Sequence, residues 1–245
     1  MKLKYICPIT DLDFEKYSQA ETKKYSSPGV EIDAERIPFG TASIECELDE
    51  VLSAPGIIQL GVESAQKGYD GIMVSCMGDP GVAALREMLD IPVVGPCRTA
   101  LLYAADISSR FSVITVTDGV VPIIERVALD VGVAGKMVSC KAVNIPVLEL
   151  CDKQRMVDAL ATLAIQAVEK YDAQCLVLGC TGMIGVENKL ESYLLEKGYE
   201  VPVLYPVPIA LKYLESLVSL GIKQAPLSYP KPPEKERSIW KLLNP

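Results

Sequence analysis

An internal repeat is the feature of this 245-residue chain that most restricts its fold. The stretch IPVVGPCRTALLYAA (91–105) aligns without a gap to VPVLYPVPIALKYLE (201–215), and six of the fifteen positions are identical. Upstream of each stretch, VSCMG (74–78) aligns with LGCTG (178–182), and each cysteine ends an apolar run. This self-similarity predicts two similar halves within one chain.

Short apolar runs alternate with longer amphipathic stretches, which is the pattern of β-α units that form a parallel sheet. PITD (8–11) also resembles TVTD (115–118), so each half begins with a strand that ends in Thr-Asp. The expected strands are 3–9, 71–76, 92–95, 110–117, 175–180 and 202–207. The expected helices are 44–68, 80–89, 98–108, 120–132, 152–170, 186–197 and 207–220.

The expected fold is α/β, with two similar lobes that each contain a Rossmann-like parallel sheet flanked by helices. We expect a pseudo-twofold axis to relate the lobes, with the active site in the cleft between them. The first lobe is predicted to cover 1–105 and the C-terminal part, about 207–245, and the second to cover 106–206. An exchange of terminal helices between the lobes is left open. The proline- and charge-rich segment after Gln224 is expected to be a surface strap or a flexible end.

The charge distribution narrows the class of partner. The net charge is −8 and the basic residues are scattered, so we expect neither a nucleic-acid interface nor an anionic membrane surface. No apolar run approaches the roughly 18 residues of a membrane helix, and the stretch MKLKYICPITD lacks the apolar region of a signal peptide. The expectation is a soluble, cytoplasmic protein that binds a small molecule.

The chain contains eight cysteines but no histidine, which restricts its chemistry. Without histidine, Ser-His-Asp and Cys-His hydrolysis are excluded, and acid–base work falls to cysteine, aspartate, glutamate, lysine or tyrosine. There is no Cys-x-x-Cys pair, so no metal site is expected. We interpret six of the cysteines as structural and reduced: Cys7, Cys46, Cys97, Cys140, Cys151 and Cys175.

The other two cysteines, Cys76 and Cys180, fall where ligands bind in parallel α/β sheets, at the carboxyl ends of strands. If the two halves face each other, the thiols meet across one cleft from opposite sides. That arrangement suits a two-base reaction, in which one group removes a proton from one face of a carbon and the other delivers a proton to the opposite face. A thiol with an ordinary pKa of about 8.5 can take either role near neutral pH.

The residues that follow each cysteine are expected to bind the substrate. An enolate that forms next to a carbonyl needs preorganised donors, and backbone N–H groups can supply them. The expected donors are the N–H groups of Met77, Gly78, Thr181 and Gly182. Asp79 is interpreted as the N-cap of a helix whose first residue is Pro80, with a direct contribution to the site as the alternative.

Three hydroxyl residues complete the candidate site. Thr10 and Thr117 end the equivalent strands of the two halves and are candidates to bind the ligand, with an ordinary strand-end role as the alternative. Ser43 precedes a helical pattern and is interpreted first as its cap and second as a pocket residue.

Several stretches resemble the aspartate/glutamate/hydantoin racemase superfamily, and most of all its hydantoin and allantoin racemase branch. They are CMGDPGVAALRE (76–87), IPVVGPCRTALLYA (91–104), LGCTGM (178–183) and VPVLYPVPIALKYLESLVSLGI (201–222). The resemblance implies that Cys76 and Cys180 are the two acid/bases of racemisation without cofactor, metal or pyridoxal phosphate. It also implies a homo-oligomer and a polar residue near Ser43 at the pocket.

The chain departs from that family pattern at two places. Cys7-Pro8-Ile9-Thr10 stands where family members usually have Asn-Pro-Asn-Thr, so both asparagines are replaced. Met77 stands where an aromatic residue is common. The surroundings of the substrate therefore differ from those of the well-known hydantoin enzymes.

The expected function is racemisation or epimerisation of a small hydantoin-, allantoin- or amino-acid-like compound at a carbon next to a carbonyl. Decarboxylation and cis-trans isomerisation are the alternatives within the superfamily. A ligand-binding protein without catalysis and a redox-sensing pair of thiols are the alternatives outside it.

Overall fold

The structure is a computed structural model that describes residues 1–237, which form eight strands and eight α-helices. The strands are β1 (Lys2–Cys7), β2 (Glu31–Arg36), β3 (Gly71–Val74), β4 (Val93–Val94), β5 (Phe111–Thr115), β6 (Met137–Ala142), β7 (Leu176–Leu178) and β8 (Val203–Leu204). The helices are α1 (Leu12–Tyr25), α2 (Glu47–Gln66), α3 (Val82–Met88), α4 (Pro96–Ile107), α5 (Val121–Asp130), α6 (Lys153–Tyr171), α7 (Glu187–Glu196) and α8 (Pro206–Ser219).

The strands form two four-stranded parallel sheets with the same order. The first sheet runs β2-β1-β3-β4 and the second runs β6-β5-β7-β8. Each strand of the first sheet thus has a counterpart four strands later in the chain, and helices lie between the strands in both halves. The predicted α/β fold with two similar halves is confirmed, whereas the pseudo-twofold axis and the cleft stay predictions.

The chain divides into two compact units. The first comprises 1–44, 48–95 and the described residues from 210 onward, and the second comprises 45–47 and 96–209. Residues 96–105, expected in the first lobe, belong to the second unit, because α4 buries an apolar face and packs against α5 and β7. Residues 238–245 of the expected first lobe lie outside the described residues.

The sequence did not predict three elements of the structure, and each of them lacks a strong apolar pattern. The edge strand β2 reads EIDAER and is mostly half-buried or exposed, and its counterpart β6 is also at an edge and largely half-buried. Helix α1 buries Ser18, Glu21 and Thr22 rather than an apolar stripe. The central strands β1, β3, β5 and β7 are almost wholly buried and most of their residues are apolar, which is why the sequence predicts them.

The segment after α8 lies against the first unit as a strap. The side-chain amide of Gln224 donates to the carbonyl oxygens of Leu89 at 2.8 Å and Ile91 at 3.1 Å. Farther along, the hydroxyl of Tyr229 accepts a hydrogen bond of 2.9 Å from Arg86 of α3. Of the two interpretations of this segment, the surface strap fits these contacts. Among the described residues, no helix combines the length and the apolar character needed to cross a membrane.

Candidate active site

In the first unit, Cys76 lies at the carboxyl edge of the sheet, two residues after β3 ends at Val74. The backbone N–H of Ser75 donates to the carbonyl oxygen of Ile6 at 2.9 Å, next to the last pair of the β1–β3 register, Ile6 with Val74. The buried hydroxyls of Ser75 and Tyr5 are hydrogen-bonded to each other. The core therefore fixes the residue before Cys76, while Cys76 itself is partly exposed.

A tight turn follows Cys76. Its carbonyl oxygen accepts a hydrogen bond of 3.1 Å from the N–H of Asp79, so Met77 and Gly78 occupy the central positions. The bond that closes such a turn does not use the N–H groups of its central residues. The turn is thus consistent with the predicted role of these two N–H groups as donors to a ligand.

The predicted helix cap at Asp79 is wrong. Helix α3 begins at Val82 and its N-cap is Gly81, which has a φ of 71°. Asp79 has a φ of 53° and is only 8% exposed. Its carboxyl group lies over Gly95, where a Cβ atom would be 2.2 Å from the carboxyl carbon. Asp79 therefore fills a space in the core that a side chain at position 95 would otherwise occupy.

In the second unit, Cys180 lies at the corresponding edge, two residues after β7. The N–H of Gly179 donates to the carbonyl oxygen of Ile114 at 2.7 Å, and the hydroxyl of Thr115 donates to the carbonyl oxygen of Gly179 at 2.8 Å. A Cβ atom at position 179 would be 2.6 Å from the Cβ of Thr115. Glycine is required there because β5 approaches the backbone so closely.

Cys180 also begins a tight turn, closed by a hydrogen bond of 3.2 Å from the N–H of Met183 to its carbonyl oxygen. The N–H of Gly182 donates to the sulfur of Cys180 at 3.3 Å. Burial raises the pKa of this thiol to about 11, the Gly182 N–H acts to lower the pKa, and the negative charge of Glu45 acts to raise it. At neutral pH Cys180 is therefore a thiol in this arrangement, and the Gly182 N–H contacts the sulfur.

The two turns share a spacing of one cysteine and two glycines that the aligned repeat alone did not reveal. Both stretches, 76–81 and 180–185, read Cys-x-Gly-x-x-Gly. The last glycine of each, Gly81 and Gly185, has a φ of 71°. A positive φ of this kind favours glycine, so the second glycine of the motif was an available sequence signal for matched turns.

The two turns differ in what supports them. In the repeat, Gly95 corresponds to Tyr205. The hydroxyl of Tyr205 donates to the carbonyl oxygen of Thr181 at 2.8 Å, within the turn that follows Cys180. In the first unit, the carboxyl group of Asp79 takes the space beside Gly95 instead. The turns after the two cysteines thus have similar backbones, whereas the polar side chains that support them differ.

Comparisons with known proteins show the family of this chain. The sequence model described as Asp/Glu/Hydantoin racemase matches residues 6–214. A hydantoin racemase of Pseudomonas sp. (strain NS671) is 33% identical over 245 residues, which covers 100% of this chain and 96% of that protein. A hydantoin racemase of Rhizobium meliloti is 36% identical over 181 residues, with 74% of this chain and 73% of that protein covered. The chain belongs to the Asp/Glu/hydantoin racemase family.

A solved structure agrees with this membership. Allantoin racemase from Klebsiella pneumoniae superposes with a TM-score of 0.90 at 29% sequence identity, covering 100% of this chain and 99% of that chain. The protein is thus a racemase, and as an enzyme it is an isomerase.

The candidate threonines of this racemase lie beyond the strands rather than within them. Strands β1 and β5 end at Cys7 and Thr115, earlier than the sequence predicted. The hydroxyl of Thr10 donates to the carbonyl oxygen of Thr41 at 3.3 Å, and the hydroxyl of Thr117 donates to that of Glu45 at 3.4 Å. Both side chains are partly exposed, so their role as ligand contacts stays a prediction.

Ser43 is not the cap of α2, because the helix begins at Glu47, four residues later. The carbonyl oxygen of Ser43 accepts a hydrogen bond of 2.7 Å from the hydroxyl of Thr41. The chain between β2 and α2 is irregular there, and a helical pattern read from sequence cannot fix such a start. The pocket role of Ser43 stays a prediction.

The three residues that depart from the family pattern are in the core of the first unit. Cys7 is 0% exposed and Ile9 is 5% exposed, and Met77 is 2% exposed. Burial raises the pKa of the Cys7 thiol to about 12. These three side chains therefore fill the interior, and Cys7 is a protonated thiol at neutral pH.

The remaining cysteines differ in environment, but none of the eight forms a disulfide. Cys97, Cys140 and Cys175 are buried, Cys46 is partly exposed and Cys151 is exposed. Burial raises the pKa of Cys140 and Cys175 to about 12. No group of three or more acidic, cysteine or histidine residues within 1–237 is arranged to hold a metal ion.

The structure adds one residue that the sequence did not single out. Glu45 belongs to the second unit although α2, which follows it, belongs to the first from residue 48 onward. Its carboxylate accepts a hydrogen bond of 2.9 Å from the N–H of Val147, 102 residues away in the chain. Spacing in the sequence could not reveal a contact across that distance.

Proposed function

We propose that this racemase inverts a carbon next to a carbonyl group by direct proton transfer between Cys76 and Cys180, without a cofactor. One cysteine starts as thiolate and removes the proton from one face of the carbon. The other starts as thiol and delivers its proton to the opposite face. The two sulfurs exchange protonation states in each turnover, and the reverse reaction restores them.

One observation carries this proposal: the two cysteines hold the same position in two units of the same topology. Cys76 follows β3 and Cys180 follows β7. In the sheet order, β3 lies between β1 and β4, and β7 lies between β5 and β8. Each cysteine opens a turn closed by the N–H three residues later. A single thiol at a strand end is most simply a packing residue, whereas a matched pair suits a reaction that needs one acid and one base.

The turns also supply donors for the intermediate. Removal of a proton next to a carbonyl places negative charge on the carbonyl oxygen, and fixed N–H groups stabilise that charge without reorganisation. The N–H groups of Met77, Gly78 and Thr181 are the proposed donors. The Gly182 N–H contacts the Cys180 sulfur and is proposed to stabilise the thiolate that forms there.

We propose a 5-substituted hydantoin as the substrate class, with allantoin included because it is a hydantoin with a ureido group at C5. The names of the relatives support this class: two are hydantoin racemases and the third is an allantoin racemase. The hydrogen at C5 lies next to a ring carbonyl, as the two-base scheme requires. The buried residues Cys7 and Ile9 suggest that substrate selection depends on residues other than the family asparagines.

The test is a racemisation assay with optically pure 5-substituted hydantoins, allantoin and free amino acids, followed by optical rotation. The wild-type protein is expected to racemise at least one hydantoin. Cys76→Ala and Cys180→Ala are each expected to reduce the rate by about a hundredfold or more, because each removes a proton carrier.

Cys151→Ala is the matched control, since Cys151 is an exposed cysteine outside both turns. Its racemisation rate is expected to equal that of the wild type. Undiminished racemisation in either the Cys76 or the Cys180 variant would contradict the two-cysteine mechanism. Binding of hydantoins without racemisation by the wild type would point to the non-catalytic alternative.

A further inference from the structure

Tyr205 is fixed in the core of the second unit, beside the turn that follows Cys180. It directly follows β8, which pairs with β7, and it precedes Pro206, the first residue of α8. Its side chain is only 3% exposed. Because β7 leads to Cys180 and β8 leads to Tyr205, the two residues follow neighbouring parallel strands at the same edge of the sheet.

The hydroxyl of Tyr205 and the sulfur of Cys180 contact the two ends of one peptide group. The hydroxyl donates to the carbonyl oxygen of Thr181 at 2.8 Å, in a hydrogen bond that is buried. The N–H of Gly182 donates to the sulfur of Cys180 at 3.3 Å. This carbonyl and this N–H belong to the same planar peptide unit, so a contact that fixes the carbonyl also fixes the direction of the N–H.

A peptide group held in this way stabilises negative charge on the sulfur. An N–H donor favours the charged form of a thiol, and a hydrogen bond to the carbonyl polarises the peptide group and strengthens its N–H as a donor. Burial raises the pKa of the Cys180 thiol to about 11, and the Gly182 N–H acts in the opposite direction. The Tyr205 hydroxyl therefore supports the contact that offsets part of the effect of burial.

The corresponding position of the first unit carries no hydroxyl. In the repeat, Gly95 corresponds to Tyr205, and Met77 corresponds to Thr181. Glycine has no side chain that could donate to the Met77 carbonyl, and the carboxyl group of Asp79 occupies the space beside Gly95. The tyrosine hydroxyl is thus a difference between the two halves, located at the turn that follows Cys180.

We propose that Tyr205 is a positioning residue that directs the Gly182 N–H at the Cys180 sulfur and so favours formation of the Cys180 thiolate. This inference rests on the proposed two-cysteine racemisation. With the enantiomer whose C5 proton faces Cys180, the sulfur begins the turnover as thiolate. With the other enantiomer, Cys180 delivers its proton and becomes thiolate. Tyr205 stabilises the charged sulfur in both directions.

The test is the alkylation of Cys180 at pH 8 in the whole chain without substrate, with iodoacetamide and N-ethylmaleimide as separate probes. Only the thiolate reacts at a useful rate. Tyr205→Phe removes the hydroxyl and keeps the ring, which is expected to raise the pKa of the thiol. Both reagents are expected to react about two- to fourfold more slowly, because the higher nucleophilicity of a more basic thiolate offsets only part of the loss of thiolate.

One tryptic peptide separates folded from unfolded molecules in this experiment. Trypsin releases 171–189 as a single peptide that contains both Cys175 and Cys180. Cys175 is 0% exposed, so its alkylation requires unfolding. A peptide labelled at Cys180 but not at Cys175 therefore comes from a folded molecule, and mass spectrometry counts only such peptides. The measurement thus stays valid if Tyr205→Phe lowers the stability.

Tyr199→Phe is the matched control, because its hydroxyl donates to Glu169, outside the turn. Its Cys180 rates are expected to equal those of the wild type. If the Tyr205 hydroxyl only held the turn closed, its loss would expose the sulfur and make alkylation faster, since burial is the main cause of the raised pKa.

Faster or unchanged alkylation of Cys180 in folded Tyr205→Phe would overturn the proposal. Slower reaction with only one of the two reagents would also overturn it, because that result indicates altered access rather than less thiolate. No substrate is used, so the outcome is separate from the racemisation assay that tests the function itself.

Discussion

Asp79 and Gly95 show at the scale of single residues how the turn after Cys76 is built. The carboxyl group of Asp79 lies where a side chain at position 95 would begin. The residue also has a φ of 53°, a conformation that non-glycine residues adopt at a cost. Buried contact with Gly95 is thus part of what holds the backbone that positions Cys76.

Substitution of Gly95 tests this arrangement. In Gly95→Ala the added methyl group overlaps the Asp79 carboxyl, so the free energy of unfolding is expected to fall by about 1–3 kcal/mol. Gly135→Ala is the control, because no heavy atom lies within 4 Å of a Cβ there. Urea unfolding of the three proteins measures the difference. Equal stability of Gly95→Ala and Gly135→Ala would show that Asp79 moves aside without cost.

The residues of the candidate site were predictable to different degrees. Cys76 and Cys180 follow from the repeat, since a motif that recurs in the same order predicts the same place in each half. The role of Asp79 as a cap was wrong because Asp-Pro is also compatible with a turn, and the helix begins only after Gly81. Glu45 was not predictable, because its contact with Val147 joins residues 102 positions apart.

At the scale of elements, burial decides what the sequence reveals. Strands β3 and β7 are fully buried and read as unbroken apolar runs, so the sequence predicts them. The edge strands β2 and β6 pair on one side only and carry charged or half-exposed residues. An apolar pattern cannot indicate such strands, although the repeat would have predicted the second from the first.

The strap after α8 is an element held by side chains rather than by backbone pairing. Gln224 donates to carbonyl oxygens at the end of α3 and in the loop after it. The last carbonyl groups of a helix lack partners within the helix, so an amide from elsewhere in the chain stabilises that end.

Gln224→Ala removes these hydrogen bonds. The free energy of unfolding is expected to fall by about 0.5–1.5 kcal/mol because partly buried acceptors lose their donor. Trypsin is also expected to cleave faster after Lys223, which directly precedes residue 224 and pairs with Asp90 at 3.3 Å. Gln174→Ala, at an exposed glutamine, is expected to change neither property. Identical proteolysis of the two variants would mean that Gln224 does not hold the strap.

At the scale of the whole molecule, the chain uses one topology twice and gives the two copies different chemistry. The sheet orders and the turns after Cys76 and Cys180 correspond. The polar groups around them do not, since Tyr205 supports one turn and Asp79 the other. The proposed two-base reaction uses such a combination, because its two thiols act on mirror-image substrates but begin a turnover in opposite protonation states.

Deuterium exchange by single-cysteine variants tests the central claim most directly. Each variant is incubated in D2O with each pure enantiomer of a hydantoin that the wild type racemises, and C5 deuteration is followed by NMR. Cys180→Ala retains Cys76 and is expected to exchange one enantiomer with retention of configuration. Cys76→Ala is expected to exchange only the other. Exchange of the same enantiomer by both variants, or of both enantiomers by either one, would contradict the account.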